Sequence, residues 1–169
     1  MHKATSCQLD ALRPTDAATL MTLFTSAAVR TYLGGPLTVP EAVTRRDALI
    51  ADAAHPWTRA VRLSPDSALI GLVMLDRHHD LDDLEISYLF LPAYWGQGHA
   101  TAAVSLHRQY AFDQLKLPRI VAETQSANIA SIRLLQRLGF APLQRVIRFG
   151  VAQSIFISHA RSTPPLSTH

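Results

Sequence analysis

The spacing of hydrophobic residues changes along the chain between the three- and four-residue steps of a helix and the two-residue steps of a strand. Gly34, Gly35 and Pro36 interrupt the first helical pattern. Thr38 and Glu41 then predict a capping box at the start of a second helix. The elements expected in this part are a strand over residues 8–13, a helix from Thr15 or Asp16 to about Leu33, and a helix ending at about Ala53.

The segment that follows Trp57 has the shorter period, and polar turns divide it into three strands that predict an antiparallel meander. A helical pattern returns after Pro92. Asn128 is a natural N-cap for the next helix, and Gly139 is a natural left-handed C-cap with Phe140 packing back. The elements expected here are strands over residues 57–63, 68–75, 84–91, 119–124, 143–149 and 153–158, and helices over about 100–115 and 128–138.

The order strand, helix, strand between Leu84 and Thr124 predicts a right-handed crossover that joins two parallel strands. We therefore expect an α+β (mixed α/β) fold with a central mixed, mostly antiparallel sheet flanked by about four helices. Residues 1–160 are expected to form a single domain. Residues 161–169 contain two consecutive prolines and are expected to form a disordered tail.

Composition narrows the class of protein. Hydrophobic residues make up 48% and charged residues 17%, which is typical of a folded chain, and no apolar run is long enough to span a membrane. The net charge is +3, but the arginines are scattered rather than clustered, which argues against a nucleic-acid partner. The first residues contain no secretory signal, so the expected location is the cytoplasm.

Two groups of potentially reactive residues carry little weight. Cys7 is the single cysteine and has no histidine near it in sequence, so it is not expected to be a nucleophile. His78, His79 and the aspartates that follow them are interpreted as a polar hairpin loop, because they lack the spacing of metal ligands on a rigid element. No metal is therefore expected.

The turn Trp95-Gly-Gln-Gly-His-Ala-Thr101 lies between a strand and a helix. Small residues there let backbone N–H groups approach an anion, and the helix dipole favours negative charge, so the turn predicts a phosphate cradle. A turn that serves only backbone geometry is the alternative. The Gly-Lys-Ser/Thr ending of a P-loop is absent, and Thr101 stands where a dinucleotide fingerprint needs a third small residue.

Taken together, a group of segments resembles the GNAT superfamily of acetyltransferases, in particular the branch that includes ribosomal-protein N-terminal acetyltransferases. The segments that carry the resemblance are Glu85-Ile-Ser-Tyr-Leu-Phe-Leu-Pro92, Tyr94-Trp-Gly-Gln-Gly-His-Ala-Thr101, Ala122-Glu-Thr124, Asn128-Ile-Ala-Ser131 and Leu138-Gly-Phe140.

The resemblance implies that acetyl-coenzyme A (acetyl-CoA) binds between a splayed pair of parallel strands. Backbone groups of Tyr88, Leu89 and Phe90 would pair with its pantetheine arm, and Asn128 would help to fix it. The ring of His99 is expected to face solvent while its backbone contributes to the cradle. The pyrophosphate would be held by backbone N–H groups of the turn, namely those of Gly96, Gln97, Gly98, His99, Ala100 and Thr101.

The resemblance also suggests catalytic roles. Glu85 is the first candidate for the base that deprotonates an attacking amine, and Glu123 is the second. Ser131 falls where this branch places a hydroxyl near the cofactor's sulfur. Many members carry a tyrosine acid where this chain has Leu135, and the frequent first-turn glutamate is replaced by Ala102 or Ala103. Ser131 is therefore a candidate both for catalysis and for cofactor binding.

The function expected from these residues is transfer of an acetyl group from acetyl-CoA to a primary amine, either a peptide N-terminus or a small molecule. The alternatives are an acyl-CoA binding or sensing module without efficient turnover and, with less support, a Rossmann-like oxidoreductase. No nucleic-acid or membrane partner is expected. An exposed edge strand near the C-terminus could support a homodimer.

Overall fold

The computed structural model describes residues 7–161, so most of the tail expected at 161–169 lies outside the described residues. The strands are β1 (Gln8–Asp10), β2 (Thr58–Arg62), β3 (Gly71–Arg77), β4 (Leu84–Phe90), β5 (Arg119–Gln125), β6 (Ala141–Arg148) and β7 (Val151–His159). The helices are α1 (Ala17–Thr25), α2 (Val39–Ala51), α3 (His99–Asp113) and α4 (Ile129–Arg137). Short 3-10 turns occupy Pro14–Asp16 and Pro92–Tyr94.

The seven strands form one sheet in the order β1-β2-β3-β4-β5-β7-β6. Every neighbouring pair is antiparallel except β4 and β5, which are joined through α3. The parallel pair is in register at Glu85 and Val121 alone, although each strand has seven residues. The two strands therefore separate after Glu85, which confirms the expected mixed sheet and leaves one edge of β4 open. β6 is an outer strand, and its use in a homodimer stays a prediction.

Alternating side chains of the strands enter two cores on opposite faces of the sheet. Leu72 and Leu89 pack with α1 and α2 on one face. Ile86 and Phe90 pack with α3 and α4 on the other face, where Tyr88 also lies against the core. By the same alternation, Glu85 belongs to the face covered by α1 and α2. The sheet therefore separates groups that are close in sequence.

The first helix is shorter than its hydrophobic pattern predicts. α1 ends at Thr25 because Ser26 has extended backbone angles, and residues 27–34 continue as turns instead of the expected helix to Leu33. The buried Arg30 side chain stabilises these turns by donating to the carbonyl oxygens of Gly35, at 2.5 Å, and Leu33, at 2.7 Å. The second helix starts as predicted, with Thr38 and Glu41 forming a capping box. This turn segment becomes a wall of the candidate site.

Candidate active site

A small cavity of about 100 Å³ lies where β4 and β5 separate. We call it the slot. Four parts of the chain line it: β4, β5, α4 with its cap, and the turns after α1. The lining residues are Val29, Tyr32, Leu33, Ile86, Ser87, Tyr88, Ala122, Glu123, Thr124, Asn128, Ser131 and Leu135. The strand separation and the polar first turn of α4 thus produce one opening.

The turn that precedes α3 presents backbone donors beside the end of β4. Gly96 and Gly98 have φ values of 69° and 82°, in the left-handed region that favours glycine. The carbonyl of Gly98 accepts the N–H of Ala102 at 3.0 Å. The N–H groups of His99, Ala100 and Thr101 precede that bond, so the helix itself provides no acceptor for them. This donor set is suited to a pyrophosphate, because it combines three N–H groups of the first helical turn with the positive end of a helix dipole.

The side chains of the turn have structural partners. The Trp95 indole donates to the carbonyl oxygen of Phe90 at 2.9 Å and so ties the turn to the end of β4. The Gln97 amide donates to the carbonyl oxygen of Ala93 at 2.8 Å. The role of Trp95 could not be read from its position in the motif, because an indole donor reaches a carbonyl five residues earlier only after the chain has turned.

The expectation that the His99 ring faces solvent is wrong. His99 is 8% exposed, and its ring packs edge-on against Tyr94 with 6.0 Å between the ring centroids. The left-handed Gly98 turns the chain so that the first side chain of α3 points toward the protein. Its backbone can still contribute to the cradle, as predicted, because the N–H belongs to the first turn of the helix.

The residues predicted to pair with the pantetheine arm lie on the strand that borders the opening. Tyr88, Leu89 and Phe90 pair with β3 on one side and show no register with β5 on the other. Leu89 is buried on the face of α1 and α2, whereas Phe90 is buried on the opposite face. Pairing of this edge with a ligand stays a prediction, and the Phe90 carbonyl already accepts the Trp95 indole.

Glu85 lies at the point where β4 and β5 separate. Burial raises its pKa from 4.5 to about 7; the nearby charge of Glu123 acts in the same direction, and His78 opposes it. A carboxyl group with a pKa near the working pH is suited to accept and release protons. Glu85 therefore has the property expected of the candidate base.

The raised pKa makes a prediction about stability. Between pH 4.5 and about 7 the folded protein holds a proton on Glu85 that the unfolded chain has released, so this group lowers the stability as pH rises through that window. We expect Glu85→Gln to increase the free energy of unfolding at pH 8, by up to about 3 kcal/mol, and to have a smaller effect at pH 4.5. Urea denaturation at the two pH values measures this. An equal effect at both would contradict it.

Glu123, the second candidate base, is engaged by other side chains. Its carboxylate accepts hydrogen bonds from Arg148 Nε at 2.6 Å and from His78 Nε2 at 2.8 Å. Burial opposes ionisation, but these hydrogen bonds hold the pKa of Glu123 below its usual value. The Nδ1 atom of His78 accepts the backbone N–H groups of Asp80 and Leu81, each at 3.2 Å, which places the ring hydrogen on Nε2. Glu123 lines the slot and Glu85 does not, so it is the raised pKa of Glu85 and the engagement of Glu123 by these partners that favour Glu85 as the base.

We predict that His78→Ala lowers the free energy of unfolding by about 2–3 kcal/mol, because it removes a donor from the buried Glu123 and an acceptor from two loop N–H groups. His79→Ala is the matched control, since His79 is exposed and only stacks on His78 at 5.0 Å between the ring centroids. We expect the control to change stability by less than about 0.5 kcal/mol. Thermal denaturation of the two variants compares them, and equal losses would argue against the network.

Asn128 and Ser131 form the polar start of α4. Asn128 Oδ1 accepts the N–H of Ser131 at 3.2 Å and caps the helix as predicted. The hydroxyl groups of Ser131 and Tyr88 are hydrogen-bonded to each other. Leu135 lines the slot one turn further along and is 1% exposed. Its match to the tyrosine of the family pattern stays a prediction.

The sequence did not identify the Tyr88–Ser131 contact or the wall formed by Val29, Tyr32 and Leu33. The sequence assigns a role to the backbone of Tyr88 and leaves its side chain open between lining the pocket and anchoring the core. The side chain reaches α4 because β4 and α4 meet on one face of the sheet. The wall lies on turns that were expected to be helical. The polar loop at 78–83 packs against the slot through His78 and Glu123.

Within residues 7–161, no three histidine, cysteine, aspartate or glutamate side chains come together as metal ligands would. Across the same residues, none of the helices has the length and apolar character needed to cross a membrane.

The comparisons with known proteins agree with this geometry. The model of one protein family, described as acetyltransferase (GNAT) domain, matches residues 7–141. The chain belongs to the GNAT acetyltransferase family. This GNAT chain is 32% identical over 79 residues to the uncharacterized N-acetyltransferase YnaD of Bacillus subtilis (strain 168), a match that covers 47% of the chain and 46% of YnaD. The match thus spans about half the length of that curated relative.

Solved structures show the same fold. A GNAT-family acetyltransferase from Bacillus anthracis superposes with a TM-score of 0.78 at 21% identity, covering 93% of this chain and 96% of that one. The spermidine N-acetyltransferase of Vibrio cholerae, solved in complex with CoA and spermine, superposes with a TM-score of 0.75 at 19% identity, covering 90% of this chain and 95% of its own. The ribosomal-protein branch within the family stays a prediction.

Proposed function

We propose that this GNAT protein transfers an acetyl group from acetyl-CoA to a primary amine. Acetyl-CoA supplies the acetyl group as a thioester. The observation that carries the proposal is Glu85, a carboxyl with a pKa of about 7, at the residue where β4 and β5 separate. From there β4 continues along the slot and ends beside the donor turn before α3. Family membership and the CoA complex of the Vibrio cholerae protein support the same cosubstrate.

The two faces of the sheet have different proposed roles, one toward the amine and the other toward the sulfur of the cosubstrate. Glu85 belongs to the face of α1 and α2, where Val29, Tyr32 and Leu33 form the wall of the slot. We propose that the amine enters there. Ser131 lies at the slot from the side of α4, so the sulfur of the cosubstrate would lie toward that face. The amine and the leaving group would then meet between the separated strands.

Glu85 would act on the amine before bond formation. An alkyl ammonium with a pKa near 10.4 is mostly protonated at neutral pH and cannot attack a carbonyl carbon. The ionised Glu85 carboxylate takes the proton, directly or through a water molecule, and leaves a neutral nucleophile. Asn128 keeps the first turn of α4 in place by its cap, and the N–H groups of His99, Ala100 and Thr101 would hold the pyrophosphate.

The test is an unbiased screen of amines and peptides with free N-termini for release of free thiol from acetyl-CoA. We expect saturable, amine-dependent release for at least one class. Binding of acetyl-CoA without turnover across the screen would support the acyl-CoA binding module instead, and the hydrophobic Leu135 in the place of the family tyrosine is the observation that favours that alternative.

A further inference from the structure

The hydroxyl pair of Tyr88 and Ser131 sits in the wall of the slot. Tyr88 comes from β4 and packs against the core that lies under α3 and α4. Ser131 is held in the first turn of α4, where its N–H donates to Asn128 Oδ1. Two residues that are 43 positions apart in the chain, on β4 and α4, thus place their hydroxyl groups in contact at the opening.

Either hydroxyl could donate in this geometry, and the chemistry of the two groups favours one direction of the hydrogen bond. A phenol is a far stronger acid than an aliphatic alcohol and is therefore the better donor, whereas the serine oxygen is the better acceptor. Tyr88 therefore donates to Ser131 Oγ. Burial raises the pKa of the Tyr88 hydroxyl, so the donor stays protonated. The hydrogen of the Ser131 hydroxyl is then left to point away from the phenol.

We propose that Tyr88 is a positioning residue that aims the Ser131 hydroxyl hydrogen at the departing sulfur of the cosubstrate. This inference rests on the proposed acetyl transfer and deepens it. Ser131 donates a hydrogen bond to the sulfur, which keeps the electron pair of the broken carbon–sulfur bond as the nitrogen bonds to the acetyl carbon. Both hydroxyls keep their protons, the proton that the nitrogen loses as the amide forms passes to solvent, and solvent protonates the released thiolate.

Many family members carry a tyrosine on the helix that corresponds to α4, whereas the tyrosine in this arrangement is Tyr88 on β4. Leu135 leaves the α4 position without a hydroxyl, and the slot contains the phenol of Tyr88 on the same face of the sheet. Tyr32, the other tyrosine of the slot wall, lies on the turns after α1, whereas Ser131 is hydrogen-bonded to Tyr88. Tyr88 is therefore the residue to change.

The kinetic test is a double-mutant cycle with Tyr88→Phe, Ser131→Ala and the double variant. We expect Tyr88→Phe to lower kcat about fivefold with an unchanged KM for acetyl-CoA, and Ser131→Ala to lower it about tenfold. The double variant should match Ser131→Ala, because Tyr88 acts through Ser131. Tyr110→Phe, on α3 and stacked against His107, is the matched control and should change neither constant. Multiplying effects in the double variant would overturn the proposal.

A binding test separates this inference from the proposed function. CoA and desulfo-CoA differ in the sulfur, so the ratio of their Kd values in calorimetry reports the contact at that atom. We expect Tyr88→Phe to reduce the preference for CoA about threefold and to leave the Kd of desulfo-CoA unchanged. An unchanged ratio would overturn the positioning role even in an active enzyme. A wild-type protein that shows the ratio but acetylates no amine would refute the proposed function alone.

Discussion

Replacing Gly98 by aspartate is expected to weaken acetyl-CoA binding by about a hundredfold or more. Gly98 precedes α3 with a φ of 82°, and the three N–H groups that follow it, for which the helix itself provides no acceptor, form the proposed cradle. A carboxylate at this position puts a negative charge and added bulk where a doubly charged pyrophosphate would lie. Calorimetric titration with acetyl-CoA measures the loss.

Two control variants separate the possible causes. Gly98→Asn has nearly the same size, tolerates the left-handed conformation and adds no charge, so it should lose less affinity than the aspartate. Gly150→Asp introduces the same residue at another left-handed glycine, with φ of 75° and nothing within 4 Å of the added carbon, in the turn between β6 and β7. It should bind acetyl-CoA like the wild type. Unchanged affinity for Gly98→Asp in a folded protein would refute the cradle.

The second large effect is expected at Glu85. Glu85→Gln keeps the shape of the side chain and removes its ability to accept a proton, so kcat should fall about a hundredfold. The wild-type rate should rise with pH through about 7, because the ionised carboxylate is the active form. The variant should lose that limb of the pH profile while its affinity for acetyl-CoA is preserved. Steady-state kinetics from pH 5.5 to pH 9 measure both effects.

Asp76→Asn provides the matched control for this variant. Asp76 lies opposite Glu85 on the neighbouring strand β3 and is exposed, so the change removes a carboxylate from the same region without touching the slot. We expect less than a twofold change in kcat and a pH limb that persists but moves slightly lower, because the charge of Asp76 makes a small contribution to the raised pKa of Glu85. A Glu85→Gln enzyme with the wild-type pH profile would show that another group is the base.

The local signals in the sequence were the reliable ones. The capping box of Thr38 and Glu41 and the cap of Asn128 formed as predicted, because each is an interaction between residues three apart on one helix start. The glycines of the turn before α3 likewise predicted left-handed backbone. The same kind of reasoning failed for the end of α1, where Arg30 hydrogen-bonds to carbonyls of the following turns and the propensity of the alanines did not decide the outcome.

The sequence predicted only part of the candidate site, because several of its properties depend on contacts between distant elements. Glu85 could be selected from the motif, but its protonation depends on burial and on Glu123 and His78, which reach it from β5 and from the loop after β3. The Tyr88–Ser131 contact joins residues on different elements and has no spacing rule. Arg148, which holds Glu123, comes from the late hairpin, whose sequence carries no motif.

Periodicity and short-range backbone chemistry were enough to predict the order of the strands and helices along the chain, the crossover between β4 and β5, and the glycine turn that opens α3. The tertiary structure alone decided which side chains meet. The separation of β4 from β5 creates the slot, the packing of β4 against α4 brings Tyr88 to Ser131, and burial moves the pKa of Glu85 to about 7. These properties depend on distances between residues far apart in the chain, which local pattern does not encode.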